Sequence, residues 1–257
     1  MKTVILAGGF GTRLSEESHL KPKPMIEIGG KPILWHIMKY YSSFGFKDFI
    51  ICCGYKGYCI KEYFSNYLLH NSDIKVNLAG QKIEIISPPK EDWNIELIDT
   101  GEKTMTGGRL LRVKNLLTER FFLTYGDGLT DQNLNDLLEF HIAQKTKVTV
   151  TAIQPLGRFG SIEISGSRVR RFTEKPVGDH RWISGGYFVC EPDALSYIKD
   201  DDTIWEKFPL DNMSKENELS VYKHEGFWSC MDTLKDKEYL DKLIHEGRTP
   251  WLKQVAD

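Results

Sequence analysis

Short apolar runs alternate with helix-period segments through the first half of the chain, and this alternation limits the fold more than any other feature. Residues 3–7 read as a strand, 32–44 as a helix and 48–53 as a second strand. Parallel strands cannot be joined by a tight turn; they need a crossover, and a helix is the usual one. In the first helix Ile33, Leu34, Ile37, Met38, Tyr41 and Phe44 share a face, Pro32 suits its first turn and Gly45 can close its end. The same reading predicts helix over 56–68 and 106–117, strand over 121–125, helix over 133–144 and strand over 148–153. Residues 73–99 read instead as short β segments, with turns at Ala79-Gly80-Gln81 and Ser87-Pro88-Pro89, forming an excursion from the main sheet. The expected class is α/β: a Rossmann-like, mixed but mainly parallel sheet flanked by helices, with its core in about residues 1–155.

Beyond Gln154-Pro155 the texture becomes hairpin-like, with strands over 160–164 and 168–173 around the turn Ser165-Gly166-Ser167. A final helix over 234–246 carries the apolar stripe Tyr239, Leu240, Leu243 and Ile244. No linker or repeat interrupts the chain. We therefore expect one domain over 1–257, with a first lobe to about residue 155 and a smaller β-rich lobe over 156–257.

Composition says where an anion would have to be caught. Acidic and basic side chains nearly cancel, 36 against 34, so the overall field favours neither nucleic acid nor an anionic membrane as partner. Any anion is held locally. Cys52, Cys53, Cys59, Cys190 and Cys230 form no CxxC pair or disulfide framework, no apolar run is long enough to span a bilayer, and the chain opens directly into a strand. These features predict a reduced, cytoplasmic protein. The seven histidines lack metal-ligand spacing, and His36 and His141 lie within helical patterns, so neither is given a chemical role.

The local trap is the glycine-rich run after the first strand. Leu6, Ala7, Gly8, Gly9, Phe10, Gly11 and Thr12 place consecutive backbone N–H groups at the carboxyl end of a strand, the usual ligand crevice of an open α/β sheet. Arg13 adds a planar guanidinium able to bridge two phosphate oxygens. The run lacks the Lys-Ser/Thr of a P-loop and the third glycine of a dinucleotide fingerprint. Lys21-Pro22-Lys23-Pro24 adds two lysines on what reads as a stiff extended segment near this loop. Asp127, in Tyr125-Gly126-Asp127-Gly128, emerges at the end of another strand, where it reads as a metal ligand or a turn residue. Thr106-Gly107-Gly108-Arg109 opens a helix with a threonine N-cap and two glycines, which implies close approach of a ligand or tight helix packing.

LAGGFGTRL followed by KPKPM resembles the signature of the sugar-1-phosphate nucleotidyltransferases. GGKPILWHI, ICCGYKG, DTGEKTMTGGRL, TYGDG, GRFGSIEI, EKP, GGYFV and FWSCMDTLKD resemble one branch, the glucose-1-phosphate cytidylyltransferases, over nearly the whole chain. The resemblance implies the nucleotide-diphospho-sugar transferase fold and transfer of a cytidylyl group from CTP to α-D-glucose 1-phosphate, giving CDP-glucose and pyrophosphate. It implies Mg²⁺ on Asp127 and Asp232. Nucleotide contacts are expected from the glycine loop, Lys23, Thr106, Arg109 and Gly126, and sugar-phosphate contacts from Glu174, Lys175, Ser184 and Gly185 in the second lobe. Arg13, Lys23 and Lys175 take the catalytic places, the first two against the departing phosphates and the third against the nucleophile. A homo-oligomer is also implied. Ser184 departs from the asparagine expected at that point of a glucose enzyme. Two other readings stand beside this one: the same transfer with dTTP, UTP, GTP or another sugar 1-phosphate, and a nucleotide-sensing subunit without chemistry.

Overall fold

The computed structural model describes residues 1–11, 21–155, 161–173 and 182–252. Seven strands form the main sheet: β1 (Lys2–Leu6), β2 (Asp48–Cys53), β3 (Asn94–Asp99), β4 (Phe121–Tyr125), β5 (Val148–Ile153), β6 (Ile183–Cys190) and β7 (Leu219–His224). Their spatial order is β7-β5-β6-β4-β1-β2-β3. Strand β6 runs antiparallel to β4 and β5, while the other neighbours are parallel.

The central strands are apolar at nearly every position because both faces are covered, the usual condition of a parallel sheet. Ile5, Ile51, Phe122 and Val189 point into one core, where Ile33, Leu34, Ile37, Met38 and Tyr41 of α1 (Ile33–Ser43) meet them. Val4, Ile50, Cys52, Phe121, Leu123 and Phe188 point into the other, against Leu110 and Val113 of α3 (Thr106–Val113). Helix α2 (Gly57–Ser65) follows β2, and α4 (Leu134–Gln144) starts at Asn133, whose side chain accepts from the Asn135 and Asp136 amides. Helix α5 (Phe208–Lys215) precedes β7. Helix α6 (Leu234–His245) begins with a capping box between Thr233 and Asp236 and buries Leu240 and Leu243, while Tyr239 of the expected stripe stays exposed.

Two expectations about organisation change. The β excursion ends before residue 94: β3 returns to the sheet, matching β2 in parallel register from Asp48 opposite Asn94 to Cys53 opposite Asp99. Only Asp73–Asn77 and Lys82–Ser87 stand apart, as a two-stranded ribbon. Nor does the sheet stop near residue 155, since β6 inserts between β4 and β5, and β7 extends the edge beyond β5. Strand order is set by long-range pairing, which local periodicity does not encode.

This topology prepares a crevice. The order reverses between β1 and β4, so the loops leaving their carboxyl ends diverge. The segments after β2 and β3 and the start of antiparallel β6 reach the same end of the sheet.

Candidate active site

A cavity of about 400 Å³ opens at this reversal. Residues 6–11 form one wall, residues 102–106 and Arg109 the opposite one, and Lys23, Pro24, Tyr125, Gly126 and Asp127 the floor. Backbone hydrogen bonds hold the glycine loop to its neighbours: Ala7 N donates to Cys52 O, Tyr55 N to Gly8 O and Gly126 N to Leu6 O, each at 3.1 Å. Thr12 and Arg13 lie outside the described residues.

Three candidates far apart in sequence meet at the floor. Lys23 Nζ donates to Asp127 Oδ2 at 2.6 Å and to Asp232 Oδ1 at 2.5 Å. Asp232 is delivered by backbone pairing: Trp228–Cys230 runs antiparallel to Gly128–Thr130, and Met231 N donates to Asp127 O at 2.9 Å. Thr233 caps α6, so Asp232 is not required as the cap. The expected extended proline segment is instead a 3-10 turn over Lys23–Met25, closed by Met25 N to Pro22 O and Ile26 N to Lys23 O. Pro24 has the φ a turn needs, and its ring packs where a β-carbon on Gly126 would come within 2.8 Å. Lys21 does not share the site; it pairs with Glu27 at 2.8 Å. Burial disfavours the Lys23 ammonium, but the charges and hydrogen bonds of Asp127 and Asp232 outweigh it and raise its pKa.

The opposite wall corrects the expected reason for its glycines. Amides of Gly107 and Gly108 donate to Thr203 O at 2.9 and 3.2 Å, and a β-carbon on Gly108 would meet Asp201 O at 2.3 Å. The close approach is by the protein's own backbone, so the helix start is not an open anion site. Met105, not Thr106, is the N-cap; Thr106 Oγ1 donates to Glu206 Oε2 at 2.7 Å and accepts from Trp205 N at 2.9 Å.

Arg109 lines the cavity, yet its guanidinium is committed inward. It donates to Thr100 Oγ1 at 2.8 Å and to the carbonyls of Gly101 (2.7 Å), Gly8 (2.9 Å), Cys53 (3.2 Å) and Glu102 (3.3 Å). One side chain thus ties together the loops after β1, β2 and β3. A β-carbon on Gly8 would lie 2.2 Å from its Nη1, and one on Gly54 2.4 Å. Gly8 is therefore needed for Arg109 before any ligand enters.

Beside Asp127 a smaller cavity of about 80 Å³ is lined by Tyr125, Ser184, Gly185, Trp228 and Cys230. Trp228 Nε1 donates to Gly185 O at 2.7 Å, and Tyr187 Oη to Gly128 O at 2.7 Å. The Tyr125 ring, which walls both cavities, lies under Gly186, where a β-carbon would come within 2.7 Å, and its hydroxyl donates to Glu206. Burial, with the nearby Asp232 and Asp127 carboxylates, pushes the Cys230 thiol up to about 12, making it a neutral wall. Glu174 and Lys175 lie outside the described residues.

A model of the nucleotidyl transferase family matches residues 2–234. The chain belongs to that family. This nucleotidyltransferase is 54% identical to the glucose-1-phosphate cytidylyltransferase of Salmonella typhi over 98% of each chain. It is 42% identical to the probable glucose-1-phosphate cytidylyltransferase of Bacillus subtilis (strain 168), over 98% of this chain and 99% of the relative. Among solved structures, HddC from Yersinia pseudotuberculosis superposes with a TM-score of 0.68 at 21% identity, covering 95% of this chain and 99% of that one. An apo UDP-glucose pyrophosphorylase gives 0.68 at 16% identity, covering 96% and 99%. The main sheet is thus that of the nucleotide-diphospho-sugar transferase fold, as the sequence implied.

The donor set of the nucleotidyltransferase suits a hard divalent cation. Asp127 and Asp232 already converge on one cation, the Lys23 ammonium, and Mg²⁺ is commonly held by one or two carboxylates, with waters and substrate phosphates completing its shell. Among the described residues no group of three or more His, Cys, Asp or Glu is placed to hold a metal alone. Sequence reasoning missed Glu206 and Trp228. Glu206 sits in Ile204-Trp205-Glu206-Lys207 with no motif around it, whereas Tyr125, directly before Gly126-Asp127 at a strand end, could have been found from its position.

Proposed function

We propose that the nucleotidyltransferase transfers a cytidylyl group from CTP to α-D-glucose 1-phosphate, with CDP-glucose and pyrophosphate as products. The observation that carries this reading is the meeting of Lys23, Asp127 and Asp232 at the floor of the glycine-loop cavity. The identity to the Salmonella typhi cytidylyltransferase supports the choice of nucleotide and sugar.

The sugar phosphate is anionic near neutral pH, so its oxygen attacks the α-phosphorus without a general base. A new P–O bond forms, the bond between α-phosphorus and bridging oxygen breaks, and pyrophosphate leaves with that electron pair. Positioning and charge neutralisation then carry the catalysis. Residues 6–11 seat the nucleotide phosphates against backbone amides, Gly126 continues that surface, and residues 102–106 form the facing wall, with Arg109 acting through the loops it ties. Lys23, with Arg13 of the glycine-rich run, neutralises the departing phosphates. Ser184 and Gly185, with Glu174 and Lys175, serve the sugar phosphate, Lys175 aligning its nucleophilic oxygen. Asp127 and Asp232 would hold Mg²⁺, which when bound supplies charge neutralisation at the α-phosphate. Five free cysteines support the cytoplasm as compartment. Among the described residues no helix is long and apolar enough to cross a membrane.

A second copy of the chain is the partner we assign to the ribbon. Ile74 lies opposite Ile85 and Val76 opposite Ile83, all four exposed, and Leu78 at the turn is 85% exposed. A two-stranded ribbon has little core of its own. Lys75 lies opposite Glu84 and this pair alternates with the apolar residues, so the charges fall on the other face and leave the apolar one to meet its copy.

A matrix of nucleoside triphosphates against sugar 1-phosphates, read by pyrophosphate release, tests the reaction. The highest kcat/KM is expected for CTP with glucose 1-phosphate. Preference for another pair would overturn the specificity, and no release from any pair would favour a sensor.

A further inference from the structure

The cation held by the two carboxylates is part of the chain. Side chains of Lys23, Asp127 and Asp232 are 10%, 30% and 13% exposed, and both ion pairs are direct. The backbone beneath Lys23 is fixed by Pro22 and Pro24 and by the two hydrogen bonds that close the turn. Movement is therefore left to the four-carbon stem, whose strongly hydrated ammonium is a compact point charge on a flexible arm.

Lys23 Nζ already takes one oxygen of each carboxylate, at 2.6 and 2.5 Å, so a divalent cation drawn to the point where Asp127 and Asp232 converge would meet the ammonium there. Two like charges cannot share that point, because each weakens the attraction of the carboxylates for the other and the two repel at contact distance. Lys23 also lines the cavity whose other wall is the glycine loop. Phosphates seated on that loop offer the ammonium a second set of anionic oxygens without any movement of its backbone.

We propose that Lys23 is a built-in competitor for the divalent cation: it closes Asp127 and Asp232 against metal until nucleotide phosphates draw its ammonium away, so metal and nucleotide bind cooperatively. This rests on Asp127 and Asp232 being the metal pair. The coupling is reciprocal, so whatever factor nucleotide adds to metal affinity, metal adds to nucleotide affinity.

The test is Mn²⁺ binding by the whole chain without nucleotide, with free Mn²⁺ measured by electron paramagnetic resonance at fixed ionic strength. Lys23→Met removes the charge at similar length. Lys23→Gln also removes it but keeps a hydrogen-bond donor for the carboxylates, should the methionine variant fail to fold by circular dichroism. The folded variants should bind Mn²⁺ about 10-fold or more tightly than the original chain, within the ~5–150-fold range usual for coupled sites. Adding Asp127→Asn to either should abolish the gain. Unchanged or weaker binding in the Lys23 variants, with Asp127→Asn still abolishing it, overturns the competition and leaves the metal pair standing. Binding indifferent to Asp127→Asn, or undetectable in every variant, overturns the metal pair and the competition with it.

Discussion

Replacing Arg109 by methionine separates two jobs this side chain could do. The guanidinium serves five acceptors, but not all depend on it. Cys53 O also accepts from Thr100 N and Thr100 Oγ1, at 2.9 and 2.7 Å, and Gly8 O accepts from Tyr55 N. Gly101 O and Glu102 O have no other such donor among the described residues. A buried acceptor left unsatisfied costs about 1–3 kcal/mol, and water reaches exposed Glu102, so Gly101 O carries the cost and the loss should be about 1–3 kcal/mol. Urea denaturation measures it as a lower midpoint with an unchanged slope. Nucleotide KM should rise in the same variant, because the loops after β1 and β3 face each other across the cavity and lose their common anchor. Arg109→Lys should recover part of both effects, since an ammonium has three donors and lacks the planar fork. Gly8→Ala should repeat the phenotype by driving a methyl into the guanidinium. A wild-type denaturation midpoint with a raised KM would refute this reasoning and return Arg109 to direct nucleotide contact.

Gly108→Ala should destabilise by about 1–3 kcal/mol through overpacking against Asp201 O, read from the same denaturation curves. Lys23→Ala should lower turnover about 10²–10³-fold, checked by pyrophosphate release at saturating substrates. Burial holds His36 at about 4, against its ordinary 6.5, with Trp251 Nε1 donating to Nδ1 and Nε2 donating to Ile28 O; Asp241 opposes that lowering and Lys31 adds to it. The unfolded chain then binds the proton more readily, so stability should fall as pH drops from about 6.5 through 4 and level off below, by ~3 kcal/mol in all. Denaturation midpoints across that range, compared with His36→Gln, isolate the contribution. Leu78→Asp with Ile83→Asp should shift the sedimentation coefficient toward the monomer if a second copy covers the ribbon.

Several elements were legible in the sequence because one local signal decided each. β2 and β4 are largely apolar runs and β5 alternates valine with threonine, all bounded by turns, and α4 and α6 open on Asn133 and Thr233, whose side chains cap them. The place of β3 was not legible: residues 94–99 resemble the exposed ribbon strands in length and composition, and pairing with β2 alone makes them part of the main sheet. The insertion of β6 was equally hidden. Its run of buried residues says that both faces are covered but not by which neighbours, and direction follows from where the chain has already travelled.

The site shows the same division between residue type and position. Lys23 and Asp127 stood out because charged groups beside strand ends and loop glycines have few structural reasons to be there, whereas Asp232 came only from the resemblance, since the pairing of Trp228–Cys230 with Gly128–Thr130 that brings it to them was not visible. Glycines were the opposite case. A missing side chain records that something approaches closely, but it does not say whether the visitor is a ligand or another part of the chain. At Gly8 and Gly54 it is the Arg109 guanidinium, and at Gly107 and Gly108 the carbonyls of Thr203 and Asp201. The cavity wall is therefore stiffened from behind by contacts that glycine alone permits. An alanine at these positions should weaken nucleotide binding by loosening the wall, and the loss should appear in stability as well as in KM.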